Sequence, residues 1–517
     1  MLKTIITKRN KLREHLALSL ILVIASFLLF SNLGSHYLWQ DEAETALVGA
    51  TILDRGYPIG TDGRNSFSQD SLGDKRKYDP WRLHPWLQFY FVAGSFSILG
   101  PSTLSARLPF ALIGLGVIIA TYFFTRSIFR NGSVALIAAT LLSFSIPFLI
   151  LSRQSRYYSA LMLFSILTFW SYFLLIRGSK KAFPAFIAAS TLCFHSFYPT
   201  LLILLGVLCL HSVLFYRHKL KSLFKALALF ALINLPWFIW FRAYPGIRRN
   251  VSNPSRIIEQ LTAISSEIFE YVFPPWMLII ALALIMIHIL SPRKINMPLR
   301  EWWSPAFLLA SASLIMVAAY SVPAHSFFRY LSPVIPFLSI LSALIIYAAF
   351  KVQRLFGFLI ITLLIWMQPL HDFYFELTHD YQGPMKGIAH YLNQHAAQND
   401  LVLITYGDLT LKFYTKLRVL GGYTGENLEP ARNANWIVIR KHMNSPYEIP
   451  VRRFIEEKIS LSDYERIPID YPDIAYENRE SPHTHHFRTV QSEDKVVIYK
   501  KLNGNFKIPI LARRFNN

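Results

Sequence analysis

Three groups of side chains in this 517-residue chain have the types and spacing for proton transfer and anion binding. The first is the acidic run Asp41-Glu42-Ala43-Glu44, placed just beyond the first apolar stretch. Asp41 and Glu44 are three apart and share a face if the segment is helical. A carboxylate beside apolar surroundings holds its proton more tightly and is a stronger base. Asp41, closest to the end of the apolar stretch, is the candidate general base; an ordinary acidic first helical turn is the plain alternative. The second group is Ser152-Arg153-Gln154-Ser155-Arg156-Tyr157-Tyr158. Arginine forks match phosphate oxygens, and tyrosine adds an apolar face with a hydroxyl handle. Against that stands a solvated connector. The third group is His325 with Arg329-Tyr330, at the head of another apolar run. Arg329 there either snorkels to lipid headgroups or forms a second phosphate clamp.

Other patterns exclude as much as they suggest. His483-Thr484-His485-His486 has metal-ligand types, but no Cys or carboxylate lies near it at familiar ligand spacing, so it is not read as a metal centre. The chain has no Walker loop, dinucleotide fingerprint, H-E-x-x-H or G-x-S-x-G, which argues against an ATP-driven pump or a membrane metalloprotease. Cys193 and Cys209 both sit in apolar sequence and suggest neither a disulfide framework nor a metal site.

The elements that must position these groups are membrane spans. The chain is 53% hydrophobic with repeated long apolar runs, which defines a polytopic membrane protein. The run at 16–33 follows a basic cluster and is expected to be a retained first helix, not a cleaved signal. A net charge of +21 would suit nucleic acid, but the basic residues lie in short connectors beside apolar runs, where the positive-inside rule accounts for them. No nucleic-acid partner is expected. Further runs are expected at about 86–99, 106–125, 132–151, 157–176, 182–197, 199–216, 222–241, 274–290, 303–320, 328–349 and 355–370, twelve in all. If the tail is outside, the basic connectors at 126–130, 177–181, 217–221, 293–294 and 351–354 fall inside with the amino-terminal cluster, which demands an odd number of crossings. The run at 86–99, only about 21 Å long as a helix, is the suspect; a wrong division within 182–216 is the other way to reach an odd number.

On this topology, four connections share the outer face: 34–84, the Ser152–Tyr158 turn, 242–273 with Arg242, Arg248 and Arg249, and Ser321–Tyr330. Within the first, Asp41 to Leu53 reads as a helix whose Ala43, Ala46, Leu47 and Ala50 side faces the membrane surface. Residues around 257–269 read as an amphipathic helix. Residues 1–370 are expected to form the catalytic membrane domain. Residues 371–517 are expected to form a small extracytoplasmic α/β domain, with helices near 384–397 and 451–459 and strands near 401–405, 435–440 and 495–500.

Taken in order, Asp41-Glu42, His84-Pro85 with Leu87, Ser152 to Tyr157, and Arg329-Tyr330 followed by Pro333 and Pro336 resemble the GT-C glycosyltransferases. The nearest branch holds the protein O-mannosyltransferases and the aminoarabinose transferase of lipid A. The resemblance spans about 15–370 and implies a fold of eleven to thirteen spans. It also implies inverting transfer of a sugar from a polyprenyl-phosphate donor on the extracytoplasmic side of a bacterial or archaeal cytoplasmic membrane. By that resemblance Asp41 is the base and Glu42 supports it. His84, Arg329 and Tyr330 face the donor phosphate, and Glu44, Arg153, Arg156 and Tyr157 line the substrate cavity. The pattern departs at Trp86, where a second proline is usual, and at Leu83, where an acid often stands; Asp79 is the nearest acid. No two-carboxylate metal site is therefore assigned, and a divalent metal is left open as a cofactor. The α/β tail is unlike the β-trefoil of eukaryotic protein mannosyltransferases, so a glycan or lipid acceptor is expected before a protein. The competing class is a multi-span lipid or glycan transporter, for which broken helices near the midplane and inverted repeats would be expected. A structural envelope protein would leave the acid-bearing loop unexplained.

Overall fold

Long apolar segments become helices because a helix satisfies its own backbone hydrogen bonds where no water can. The computed structural model describes residues 2–67, 80–241, 253–291, 298–323, 327–422, 426–440, 448–475, 477 and 481–502. Asp79, Arg242, Arg248, Arg249 and His325 lie outside the described residues. The membrane part begins with α1 (Leu2–Phe30), followed by α2 (Gln40–Arg55), α3 (Leu87–Leu99) and α4 (Thr103–Phe129). It continues with α5 (Gly132–Ser143), α6 (Ile146–Ser152), α7 (Tyr158–Ile176), α8 (Ala182–Phe215), α9 (Leu220–Trp240), α10 (Pro254–Tyr271) and α11 (Trp276–Leu290). Then come α12 (Leu299–Tyr320), α13 (Val334–Val352), α14 (Arg354–Trp366) and α15 (Leu370–Thr378).

Seven of these helices are long and apolar enough to cross a membrane: α1, α4, α7, α8, α9, α12 and α13. Three pairs qualify only jointly and are bent, α5 with α6 by 67°, α10 with α11 by 69°, and α14 with α15 by 52°. Counting each pair as one span gives up to ten among the described residues, where eleven to thirteen were expected for the chain. The twelve runs lose two members for physical reasons. Runs 182–197 and 199–216 belong to the one 34-residue helix α8, bent at Phe197 (φ −160°, ψ 94°) ahead of Pro199. Helix α3 has 13 residues and spans about 20 Å at 1.5 Å per residue, short of a bilayer core.

The site depends on α2. Its first turn carries Asp41 and Glu42, which suit the positive end of the helix dipole, and the Trp39 N–H donates to Glu42 Oε2 at 3.4 Å. Gly56 ends it in the left-handed region at φ 78°. The apolar side expected to face the membrane surface is instead enclosed by protein: Ala43, Ala46 and Leu47 are buried with Phe89, Val92 and Phe96 of α3 and with Leu409. Close approach is the reason Gly49 serves here, since a Cβ would stand 2.9 Å from Val92.

Past α15 the chain builds an α/β unit of α16 (Pro384–His395), β1 (Leu401–Ile404), α17 (Asp408–Tyr414), β2 (Arg418–Leu420), β3 (Trp436–Val438), α18 (Glu448–Lys458), β4 (Tyr464–Pro472) and β5 (Lys495–Lys501). The sheet order is β2-β1-β3-β5-β4, parallel across β2, β1 and β3 and antiparallel from β3 through β5 to β4. Apolar faces of the strands fill two cores, one under α16 with Ile388, Val402 and Ile498 and one under α18 with Leu403, Ile437 and Val451. Helix α17 docks the unit onto α2. There Gln40 donates to Asp408, and Lys412 donates to Asp408 Oδ2 at 2.6 Å and to the Ser66 carbonyl at 2.9 Å.

Candidate active site beyond the first span

Three connections bring side chains to the start of α2: His84 from the loop after it, Arg156 from the turn before α7 and Arg329 from the segment before α13. The Oδ2 of Asp41 lies 3.3 Å from Arg329 Nη1 and 3.5 Å from Arg156 Nη2. Arg156 Nη1 also donates to Glu44 Oε1 at 3.1 Å, to the Thr45 hydroxyl at 3.0 Å and to the Asp41 carbonyl at 3.1 Å. His84 Nδ1 stands 3.4 Å from the same Glu44 oxygen. Asp41 and Glu44 thus share one helix face, as their spacing implies, and each meets a cation from a distant segment.

The upward shift argued for a boundary carboxylate is found at Glu44, pushed up to about 7 by burial and by the like charge of Asp41, against the pull of Arg156. Burial and the nearby Arg156 push His84 down to about 3, so its imidazole is neutral at pH 7. Arg156 is held more firmly protonated than usual because Asp41 and Glu44 outweigh its burial.

Aromatic rings wall this charged patch. Tyr157 stacks on Phe197 at 4.6 Å between centroids, and Phe197 on Tyr330 at 5.3 Å, so the bend in α8 supplies the middle ring. The guanidinium of Arg329 lies 4.2 Å from the Phe327 ring and 5.5 Å from both Trp39 and Tyr330. The result is an anion-ready pair of forks backed by apolar faces, beside two carboxylates.

Glu42 and Arg153 are turned elsewhere. Glu42 is fully buried and takes both forks of Arg107, Nε at 2.8 Å and Nη2 at 2.7 Å, together with the Ser155 N–H at 2.7 Å. Arg107 also donates to the carbonyls of Leu33, His36 and Tyr37. Glu42 therefore fastens the α1–α2 connection to the Ser152–Tyr158 turn, which is support at one remove from Asp41. Arg153 donates to the carbonyls of Leu28, Leu29 and Ser31, with Glu376 Oε1 at 3.4 Å. It belongs to this bracing and not to the ring around Asp41. Reading the sequence for chemistry missed Arg107, although a charge inside the apolar run 106–125 is itself a signal of a buried partner.

A second cluster adjoins Arg153. His36, Glu376 and His485 are all buried, with ligand-type atoms within 4.8 Å of one another. His485 thus acquires the carboxylate that its local sequence lacks, from a helix more than a hundred residues away.

The fold, a polytopic helical membrane part with a small β-containing domain at the carboxyl end, is consistent with GT-C architecture. A structure of ArnT from Cupriavidus metallidurans bound to undecaprenyl phosphate superposes with a TM-score of 0.61 at 14% identity, covering 93% of this chain and 97% of that one. A structure of the archaeal oligosaccharyltransferase AglB from Archaeoglobus fulgidus, in complex with an inhibitory peptide and a dolichol-phosphate, gives 0.52 at 13% identity over 83% of this chain and 70% of that one. Residues 83–240, less than a third of the chain, match the family described as dolichyl-phosphate-mannose-protein mannosyltransferase. A comparison with curated proteins finds no match.

Proposed function

We propose that this protein transfers a sugar from a polyprenyl-phosphate carrier to a glycan or lipid acceptor at the outer face of a bacterial or archaeal cytoplasmic membrane. The observation that carries this reading is the meeting of Arg156 and Arg329 on one oxygen of Asp41, at 3.5 and 3.3 Å. Two guanidiniums from separate connections are the donors a phosphate monoanion or diester needs, and a carboxylate between them is a proton acceptor. The likeness to structures bound to undecaprenyl phosphate and dolichol-phosphate supports the choice of lipid.

In the proposed reaction the donor phosphate takes up the forks of Arg156 and Arg329, with neutral His84 and Tyr330 beside it. Asp41, relieved of its guanidinium partners, accepts the proton of the acceptor hydroxyl. The acceptor oxygen bonds to the anomeric carbon as the carbon–oxygen bond to phosphate breaks, and the electron pair leaves on the phosphate, held by the arginines. One displacement inverts the centre; a second carboxylate nucleophile is not needed. Glu42 acts through Arg107 and the Ser155 N–H as a positioning residue.

A second reading, a lipid or glycan transporter, is favoured by the three bent helix pairs. Their breaks are tied by Gln368, which accepts from the Ile146 N–H at 2.9 Å and donates to the Tyr271 carbonyl at 2.8 Å. The test is incubation of purified protein with labelled polyprenyl-phosphate sugars and candidate acceptors, comparing wild type with Asp41→Asn. Transfer lost in Asp41→Asn supports the transferase; folded wild type that moves labelled lipid across vesicles without breaking the phosphate–sugar bond supports the transporter.

A further inference from the structure

We propose that His36, Glu376 and His485 form a site for a borderline divalent cation of the zinc type, which clasps the carboxyl-terminal unit to the membrane part. The three residues come from the α1–α2 connection, from α15 and from the segment between β4 and β5, so no two of them are neighbours in sequence. Their relative exposures are 3%, 5% and 7%. Two imidazoles with one carboxylate are a ligand set that first-row divalent ions favour, whereas magnesium and calcium prefer oxygen alone.

The geometry is close to what coordination requires. Bonds of about 2.0–2.2 Å to a tetrahedral ion place ligand atoms about 3.3–3.6 Å apart. Here Glu376 Oε2 and His485 Nε2 are 2.6 Å apart and the whole set lies within 4.8 Å, so small ring movements suffice. The orientations are held from outside, as a metal centre needs. His36 stacks on Tyr381 at 4.3 Å with the rings 15° from parallel, and His485 meets the edge of Phe487 at 4.6 Å. The other oxygen of the carboxylate, Glu376 Oε1, accepts from Arg153 Nη2 at 3.4 Å, while three carbonyls anchor that arginine.

The surrounding contacts fit a clasp. Ser481 donates to Glu267 Oε2 at 2.6 Å, and the more exposed His483 lies 3.4 Å from Glu270, both on α10. The segment is thus already laid against the membrane part by weaker polar contacts, and His485 is its buried end. A bound ion would join three segments that hydrogen bonds alone join less tightly.

The experiment uses the full chain in detergent, without a histidine tag, loaded with Zn2+ or Co2+ and then freed of loosely held metal by gel filtration. The expected result is about one zinc per chain by elemental analysis, a visible absorption of tetrahedral Co2+, and a melting temperature lowered by chelator. His36→Ala, His485→Ala and Glu376→Gln each lose the metal, while His483→Ala and Asp41→Asn retain it. Wild type that elutes as folded protein with no zinc or cobalt overturns the proposal and leaves a hydrogen-bonded Glu–His strut. Loss of the metal in His483→Ala to the same degree as in His485→Ala also overturns it, by placing the ion elsewhere. Metal content is read without any transfer assay, so the outcome is independent of the proposed reaction.

Discussion

Arg329 reaches Asp41 from the far end of the membrane part, its Nη1 3.3 Å from Oδ2, with Arg156 on the same oxygen at 3.5 Å. The planar fork, not charge alone, is what a phosphate would use. Arg329→Lys is therefore expected to reduce kcat/KM for the donor nearly as much as Arg329→Gln, by about 10²–10³-fold. Steady-state kinetics with varied donor check this; full activity in Arg329→Lys would reduce the residue to a counter-charge.

Glu42 should behave differently from Asp41. It is fully buried against Arg107, and removing one partner of such a pair leaves an uncompensated charge, a loss of about 3–5 kcal/mol. Glu42→Gln is expected to lower thermal stability in detergent strongly, whereas Asp41→Asn, which leaves Arg156 its contact with Glu44, lowers it less and abolishes transfer. Melting curves of the two variants side by side make the comparison.

The pH dependence of stability carries the mark of Glu44. Its carboxyl is raised from the ordinary 4.5 to about 7, so the folded state binds the proton more tightly than the unfolded chain. Its contribution is then fully present below pH 4.5 and falls as pH rises through about 7, on the order of 3 kcal/mol in all. His84 and His36 act in the opposite sense, both depressed from 6.5 to about 3 chiefly by burial, and lose stability as pH falls below 6.5. The Glu44 part is isolated as the difference between wild type and Glu44→Gln, in which the histidine part, common to both, cancels: the wild-type melting temperature relative to the variant's is expected to fall between about pH 5 and 7.5.

Gln368 bridges two of the helix breaks through the Ile146 N–H and the Tyr271 carbonyl. Gln368→Leu leaves both backbone groups without that partner, at about 1–3 kcal/mol each. Because α6 leads directly into the turn holding Arg156, activity is expected to fall along with melting temperature. A melting temperature unchanged by the substitution would mean that the breaks hold without the bridge.

Much of the architecture was readable in one dimension. Apolar runs located the spans, shortness made the run at 86–99 the suspect, and the loop composition from Gly56 bounded the helix that starts at Gln40. The strands at 401–404, 436–438 and 495–501 fall where β-rich runs stood, and the sheet has five strands among the described residues where at least three were expected. The division of 182–216 near residue 198 falls at the break in α8, where Phe197 leaves the helical backbone region ahead of Pro199.

Local pattern determined that this chain is a polytopic membrane protein and which residue types stand at its polar connections, because hydrophobicity, charge and helix periodicity are written in neighbouring residues. Only the tertiary structure decided partners: that Asp41 meets Arg156 and Arg329 while Glu42 is taken by Arg107, that the alanine side of α2 packs on protein, and that His485 finds Glu376. Those pairings join segments separated by tens to hundreds of residues. They are chosen by which buried charge can be neutralised within a few ångströms once the helices have packed, a condition that no spacing along the chain expresses.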